Sequence, residues 1–202
     1  MPIRVISGTA KGRRLKLVPG DTTRPIMDRV KEALFSIIGY DIVDARFIDL
    51  FSGTGSVGIE ALSRGAEKVV FVELARQAIR TIQDNLKVTR LEEKATIRKA
   101  DVLELLKQQA PAIPYDFIYI APPQYKQLWL ATLNAIDNNP DWVGEDTTII
   151  VQIDPKERTE VEFRHFEAYD LRRYGKTVLW FFSLKDFTNN VDEENEDANE
   201  SH

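Results

Sequence analysis

The chain has 202 residues, a net charge of −5 and the composition of an ordinary globular protein, so it is long enough for one domain with a sizeable hydrophobic core. It contains no cysteine and only two histidines, which excludes disulfides, thiolate nucleophiles and cysteine zinc sites and argues against any metal centre. No apolar run approaches the length of a membrane span, and the N-terminus lacks the apolar core of a signal peptide. We therefore expect a cytoplasmic protein with no membrane partner.

The charges divide the chain into three predicted segments. Residues 1–31 carry eight Lys or Arg against two Asp, whereas residues 185–202 carry one Lys against seven acidic residues. We predict a basic N-terminal β-hairpin appendage over residues 1–22, the main domain over residues 23–184, and an acidic, disordered tail over residues 185–202.

The N-terminal hairpin is predicted from β-branched residues that are mixed with basic ones on both sides of a Ser7-Gly8 turn. Its cations are candidates for binding the phosphates of a polyanion, because such clusters bind polyanions through counterion release. A solvated, purely structural hairpin is the alternative. The candidate contacts, the last two of which belong to the helix that follows, are Arg4, Lys11, Arg13, Arg14, Lys16, Arg24 and Arg29.

A glycine-rich stretch is the centre of the main domain. The apolar residues 47–51 predict a buried strand, and Gly53, Gly55 and Gly58 follow it with the spacing G-x-G-x-x-G. In such a stretch one glycine turns the chain, one lets a ligand approach the backbone, and one lets a helix pack on the sheet. Glu73 ends the next predicted strand, where a carboxylate can accept hydrogen bonds from the ribose hydroxyls of a nucleoside cofactor. A tight structural turn without a ligand is the alternative.

Strands and helices alternate along the main domain, which predicts a parallel sheet with helices on both faces. A helix beginning at Pro25 and ending at Gly39 precedes the first strand. Further strands are predicted over residues 68–73, 95–98, 115–120 and 147–153, and further helices over residues 59–64, 75–88, 102–109 and about 124–137. Residues 163–171 and 177–184 are two strand-like runs with no helix between them, which predicts an antiparallel hairpin.

A parallel sheet binds its ligand beyond the carboxyl ends of its strands. The residues predicted there are Asp49, residues 52–58, Glu73, Asp101 and residues 121–124. Nicotinamide and S-adenosylmethionine are the two candidate cofactors for this crevice. A dehydrogenase needs a positioned acid or base, but no histidine falls on these loops and no Tyr-x-x-x-Lys pattern occurs. The terminal hairpin and the Pro-Pro sequence after the fourth strand favour S-adenosylmethionine.

Three segments resemble the RsmD family, S-adenosylmethionine-dependent methyltransferases that act on a guanine N2 of small-subunit (16S) ribosomal RNA. They are residues 4–15, 23–35 and 49–66, and the resemblance extends over about residues 2–184. It implies an α/β fold with a Rossmann-like, seven-stranded class I methyltransferase sheet, helices on both faces and an antiparallel C-terminal hairpin. It also implies a monomer that needs no metal and whose partner is ribosomal RNA or a small-subunit assembly particle.

The resemblance further implies roles for the crevice residues. Asp49, Gly53 and Gly55 would surround the methionine part of S-adenosylmethionine. Glu73 would bind its ribose, and Asp101 its adenine edge together with the next residue. The full expected cofactor-binding set is Asp49, Ser52, Gly53, Thr54, Gly55, Glu73, Leu74, Asp101 and Val102.

The expected catalytic segment departs from the family pattern. Methyltransferases of this kind usually end the fourth strand in Asp/Asn-Pro-Pro-aromatic, whose polar side chain and a backbone carbonyl accept hydrogens of the target amine while the aromatic ring stacks on the flipped base. This chain has Ala121, Pro122, Pro123, Gln124 and Tyr125. Three hypotheses follow: the backbone carbonyls with Gln124 or Tyr125 take over the lost roles, the protein is a weak or inactive relative that binds RNA or a partner, or its substrate differs.

Overall fold

The computed structural model describes residues 3–20, 26–124 and 126–185. The strands are β1 (Ile3–Arg4), β2 (Arg14–Leu15), β3 (Arg46–Asp49), β4 (Lys68–Glu73), β5 (Ala95–Lys99), β6 (Tyr115–Ile120), β7 (Val143–Ile153), β8 (Phe166–Tyr174) and β9 (Thr177–Leu184). The α-helices are α1 (Asp28–Ile38), α2 (Ser56–Ser63), α3 (Arg76–Thr89), α4 (Val102–Leu106) and α5 (Leu128–Asp137).

Strands β3 to β9 form one mixed sheet in the order β5-β4-β3-β6-β7-β9-β8. Strands β3 to β7 pair in parallel, whereas β9 lies antiparallel between β7 and β8. The direction of winding reverses between β3 and β6, and a crevice opens at such a point beyond the carboxyl ends of the strands. The predicted seven-stranded sheet with an antiparallel C-terminal hairpin is confirmed.

Helices cover both faces of this sheet and produce two hydrophobic cores. Helices α1, α2 and α3 pack on one face together with Phe47 and Tyr119, and helices α4 and α5 pack on the other with Ile48 and Ile118. Successive side chains of a strand point to opposite faces. A parallel strand that is buried on both faces therefore has a continuous apolar sequence, and this is why these strands could be predicted from the sequence.

The N-terminal hairpin packs directly on the first of these cores. Strands β1 and β2 pair antiparallel and form a small sheet of their own. Gly8, in the connection between them, has φ +80°, and a Cβ there would lie 1.7 Å from the carbonyl oxygen of Ser63 on α2. The apolar residues of the hairpin that are buried in the core under α1 to α3 are Ile3, Val5, Ala10 and Leu15.

Several predicted elements differ from the structure at their ends. The predicted bounds of β4, β6 and β9 are confirmed, but α1 begins at Asp28, α4 ends at Leu106 and α5 begins at Leu128. Strand β7 begins at Val143, four residues early, because the hydroxyl of Thr147 accepts a hydrogen bond from the N–H of Gly144 and donates one to a carbonyl of β6. Strand β8 is shifted towards the C-terminus, and a two-residue turn joins it to β9.

Some predictions fall outside the described residues. These are the proposed Pro25 helix start, the candidate contact Arg24, the catalytic candidate Tyr125 and the tail beyond Lys185. Within residues 3–20, 26–124 and 126–185, no helix is both long and apolar enough to cross a membrane. Over the same ranges, no group of three or more His, Asp or Glu side chains is arranged to hold a metal ion.

Candidate cofactor and substrate site

The glycine loop connects β3 to α2 at the carboxyl edge of the sheet. Gly53 (φ +52°) and Gly55 (φ +75°) adopt left-handed conformations that a side chain would strain. Gly58 lies inside α2, where an added Cβ would come within 2.4 Å of the Phe71 ring on β4. Two glycines thus turn the chain, and the third lets the helix pack closely on the sheet. Ser52 closes the loop, since its hydroxyl donates a hydrogen bond of 2.8 Å to the Asp49 carbonyl.

Glu73 connects the end of β4 to the glycine loop. Its Oε2 accepts a hydrogen bond of 2.9 Å from the N–H of Gly53, and its Oε1 accepts bonds of 2.8 and 2.9 Å from the N–H groups of Leu74 and Ala75. The structure therefore brings together two elements that the sequence separates by twenty residues. The half-buried carboxylate lies where the resemblance expects the ribose of a cofactor.

Asp49 ends β3 and is almost completely buried beneath the loop. Burial raises the pKa of its carboxyl from 3.8 to about 7, and the negative charge of Glu73 adds to the shift, while backbone N–H groups of Phe51 and Gly58 act in the opposite direction. Among the described residues, Asp49 Oδ1 has no hydrogen-bond partner. A buried acceptor without a donor is costly, so it provides a place for the donor of a ligand.

The remaining cofactor candidates lie along the same edge. The Thr54 carbonyl accepts a hydrogen bond of 2.9 Å from the Asn85 amide, which holds the loop on α3. Leu74 is 57% exposed just beyond Glu73. Asp101 caps α4, since its Oδ1 accepts bonds from two backbone N–H groups of the first turn, and Val102 is buried behind it.

The Pro-Pro loop leaves β6 next to the glycine loop in the sheet. Ala121 is half-buried and contacts the core under α1 to α3. Pro122 is half-buried as well, whereas Pro123 and Gln124 are exposed. The loop ends at Gln127, whose φ of +51° sets the start of α5. The described part of the predicted catalytic segment, Ala121 to Gln124, therefore lies at the carboxyl edge of the sheet.

A tyrosine and a glutamine that the sequence analysis did not single out lie beside this loop. The Tyr119 hydroxyl donates a hydrogen bond of 2.6 Å to Gln152 Oε1 on β7. Burial raises the pKa of Tyr119 well above its ordinary value, and the charge of Asp49 acts in the same direction, so the phenol remains a donor. These residues come together only through the register of two strands, so no local pattern in the sequence indicates them.

Six described cations of the N-terminal segment are exposed, whereas Lys31 is buried. Arg4 Nε contacts Asp28 Oδ2 at 3.0 Å, and Lys16 Nζ contacts Asp84 Oδ2 at 2.9 Å. Helix α1 leads into β3 at the amino edge of the sheet, so its first residue, Asp28, lies at the carboxyl edge, and Arg29 with it. The exposed set is Arg4, Lys11, Arg13, Arg14, Lys16 and Arg29.

A buried ion network attaches the hairpin to α1 and α2. Glu60 accepts hydrogen bonds of 2.8 and 2.9 Å from two backbone N–H groups of the hairpin, and it forms ion pairs with Lys31 at 3.4 Å and Arg64 at 2.8 Å. Lys31 Nζ also donates to the Arg4 carbonyl and to the hydroxyl of Ser56, the first residue of α2. Burial lowers the pKa of Lys31, and Glu60 opposes this shift. In the sequence, Lys31 falls among the apolar residues that form the buried side of α1, and this position could have indicated a buried ion pair.

The family described as "Conserved hypothetical protein 95" matches residues 3–183, nearly the whole described chain. A Bacillus subtilis protein named "Putative rRNA methyltransferase YlbH" is 40% identical over 75% of this chain and 83% of its own length. "Ribosomal RNA small subunit methyltransferase D" of Escherichia coli is 32% identical over 74% of each chain. The chain belongs to the RsmD family.

The fold of this RsmD-family chain agrees with solved structures. The structure named "Putative methyltransferase yhhF from Escherichia coli" superposes with a TM-score of 0.80 at 26% identity, covering 92% of this chain and 99% of the other. The family and the fold predicted from the sequence are confirmed, and so is the predicted enzyme class, a methyltransferase.

Proposed function

We propose that this protein transfers a methyl group from S-adenosylmethionine to the exocyclic N2 of a guanine in small-subunit ribosomal RNA. The observation that carries the proposal is the arrangement of Glu73, Asp49 and the glycine loop at the switch point of the sheet, next to the Pro-Pro loop. The names of the RsmD-family relatives support an RNA substrate, and such a substrate is consistent with action in the cytoplasm.

The residues of the crevice fit S-adenosylmethionine. The partnerless oxygen of Asp49 suits a donor of the methionine part, for which the two left-handed glycines leave room. Glu73 can exchange its bond to the Gly53 N–H for bonds to the ribose hydroxyls. Exposed Leu74 and the capping residue Asp101 flank the place expected for the adenine. We therefore assign the cofactor to this crevice, with Ser52, Thr54 and Val102 shaping its wall.

The chemistry requires little more than alignment of the two reactants. Bound S-adenosylmethionine supplies an electrophilic methyl group. In this reaction S-adenosylmethionine would give up the methyl carbon and leave as a neutral thioether, the guanine N2 would be the nucleophile, and the amine would release one proton to water. In this scheme the loop from Ala121 to Gln124 positions the flipped base and excludes solvent, because fixing two reactants in a near-attack geometry removes a large part of the barrier.

The basic N-terminal surface fits the RNA partner. Six described cations are exposed on the hairpin and at the start of α1, and Arg4 and Arg29 lie at the carboxyl edge beside the crevice. Phosphate contacts position a nucleic acid without specifying its sequence. We assign the hairpin to holding the RNA backbone, and Arg24 belongs to the same proposal.

A methyl-incorporation assay tests this proposal. The native chain and an Ala121→Asp variant are incubated with S-adenosylmethionine carrying a labelled methyl group and undermethylated small-subunit RNA. We expect incorporation by the native chain. Incorporation by Ala121→Asp alone favours the second candidate function, an inactive relative that binds RNA or a partner, for which the missing acceptor at Ala121 is the specific observation.

Calorimetric titration separates the two cofactor classes. We expect S-adenosylhomocysteine to bind in the micromolar range and NAD not to bind. Binding of NAD alone would overturn the cofactor assignment and favour a nicotinamide-dependent oxidoreductase.

A further inference from the structure

Gln152 lies beside Ala121 on the neighbouring strand. Ile120, the last residue of β6, pairs with Val151 of β7. Ala121, which directly follows β6, therefore comes next to Gln152 of β7, about one strand spacing away, roughly 4.8 Å. Both point to the face covered by α1 to α3, because Ala121 packs against that core and Gln152 bonds to Tyr119 within it. A carboxamide therefore stands next to the position where the family pattern has its polar side chain.

This carboxamide is held in place before any substrate arrives. The buried Tyr119 hydroxyl donates to Gln152 Oε1 at 2.6 Å, which fixes the orientation of the amide. An amide oxygen has two lone pairs, so it can accept a second hydrogen bond while it keeps the first. Gln124 is the other amide near the site, but its side chain is exposed and forms no hydrogen bond with a described residue.

Resting on the proposed function, we propose that the Gln152 carboxamide oxygen accepts a hydrogen bond from the target amine and replaces the side-chain acceptor that Ala121 lacks. A preorganised acceptor costs no reorganisation during the reaction and can orient the nitrogen lone pair towards the methyl carbon. Gln152 thus touches the reacting group, and Tyr119 is a positioning residue behind it.

Single-turnover methylation rates of Gln152→Ala and Gln124→Ala test this inference, with Gln109→Ala, which changes an exposed glutamine outside the site, as the matched control. We expect Gln152→Ala to slow the methyl-transfer step by roughly tenfold to a hundredfold while S-adenosylhomocysteine affinity is unchanged. We expect Gln109→Ala to match the native rate, and Gln124→Ala, in the loop that positions the base, to slow the step by less than Gln152→Ala. Gln152→Glu keeps an acceptor and should recover most of the rate, and Tyr119→Phe should slow the step by less than Gln152→Ala.

The outcomes are distinct for the two proposals. A native rate in Gln152→Ala, or a larger loss in Gln124→Ala, would overturn the role of Gln152 while leaving the proposed function intact. No incorporation by the native chain under any condition would contradict the proposed function itself, and the role of Gln152 with it.

A second inference rests on a different observation, the position of the β8–β9 turn. Ile153, the last residue of β7, pairs with Val178, the second residue of β9. The turn at residues 175–176 therefore projects past the carboxyl end of β7, two to three strand spacings, roughly 10–15 Å, from the Pro-Pro loop. The N-terminal hairpin packs on α2 and α3, which connect β3, β4 and β5, so the hairpin and the turn lie on opposite sides of the switch point between β3 and β6.

The turn carries exposed positive charge. Arg172, Arg173 and Lys176 are all exposed. Arg172 forms an ion pair of 2.9 Å with Asp170, whereas Arg173 and Lys176 form no ion pair with a residue in the described part of the chain. Residues 154–158, which lie at the same edge, contain two basic and two acidic residues, so the net positive charge belongs to the turn.

We infer that this turn is a second contact for the phosphates of the RNA, on the side of the target nucleotide opposite the N-terminal hairpin. The inference rests on the proposed RNA substrate but not on turnover. Two cationic contacts on either side of the crevice would hold the strand across it, and each neutralised phosphate adds to the salt dependence of binding.

RNA affinity measured over a salt series tests the turn. The double variant Arg173→Ala/Lys176→Ala is compared with Lys68→Ala/Lys94→Ala, which removes the same charge from exposed residues at the amino edge. We expect the turn variant to bind small-subunit RNA roughly tenfold more weakly, with a salt slope smaller by about 1 to 1.5, and the control to bind like the native chain. Equal affinities in the two variants would overturn the inference. RNA binding without methylation would contradict the proposed function. The affinities of the two double variants would still test the role of the turn in that case.

Discussion

Asp49 is the residue at which the cost to stability opposes the proposed role in cofactor binding. Its pKa of about 7 in the folded protein is above the ordinary 3.8, because burial disfavours the charged form and Glu73 repels it. The folded protein therefore binds more protons than the unfolded chain between about pH 4 and pH 7. Stability should fall as the pH rises through this window, since ionisation of Asp49 is easier in the unfolded chain.

Asp49→Asn should stabilise the free protein and weaken cofactor binding. The variant removes a carboxyl that is costly to ionise, so the free energy of unfolding above pH 7 should rise by up to about 4 kcal/mol, with little change near pH 4. Urea unfolding at pH 5 and pH 8, with S-adenosylhomocysteine titration at pH 8, measures both effects. A native-like decrease of stability between these pH values in the variant would show that Asp49 is not the cause.

Glu73→Ala should weaken S-adenosylhomocysteine binding by about a hundredfold, because the carboxylate organises the glycine loop and is expected to bind the ribose. Glu67→Ala, which removes an exposed carboxylate at the amino edge, is the matched control and should bind like the native chain. Isothermal titration measures the affinities. Equal affinities for the two variants would exclude Glu73 from the cofactor site.

The hairpin and α2 are the elements whose contact depends most on one side chain. The fully buried Glu60 carboxylate accepts hydrogen bonds from two backbone N–H groups of the hairpin and forms ion pairs with Lys31 and Arg64. Removing one partner of a buried ion pair leaves the other charge without compensation, which costs more than the pair contributes.

Glu60→Gln should lower the free energy of unfolding by about 3–5 kcal/mol, because it leaves Lys31 buried without its counter-charge. Glu104→Gln breaks an exposed pair with Lys107 and should leave the free energy of unfolding nearly unchanged, because solvent screens such a pair. Chemical unfolding followed by circular dichroism compares the two. Similar losses in both variants would mean that the Glu60 network does not stabilise the hairpin contact.

The bounds of elements with a strong local sequence pattern could be predicted. The bounds of elements that depend on pairing with another strand could not. The apolar runs of β4 and β6 fixed their ends, and the glycine spacing located the loop. The start of β7 depends on the Thr147 side chain bonding to β6, and the register of β8 depends on its pairing with β9. No window of sequence contains those partners.

At the scale of the molecule, one half of the candidate site could be predicted from a local pattern and the other half could not. The cofactor half, from Asp49 to Glu73, follows one strand–loop–helix–strand unit and could be derived from residue spacing. The substrate half combines β6 with β7, so the neighbours Ala121 and Gln152 are thirty-one positions apart in the chain. The docking of the hairpin on α2 joins residues more than fifty positions apart. Such contacts are determined by the whole fold.

We propose that the assembled site methylates guanine N2 in small-subunit RNA. The most direct measurement is mass spectrometry of undermethylated small-subunit RNA after incubation with the native chain and S-adenosylmethionine. We expect N2-methylguanosine at a single position, and none in the same RNA incubated with the Glu73→Ala variant under limiting cofactor. Complete absence of N2-methylguanosine, with S-adenosylhomocysteine binding intact, would contradict it.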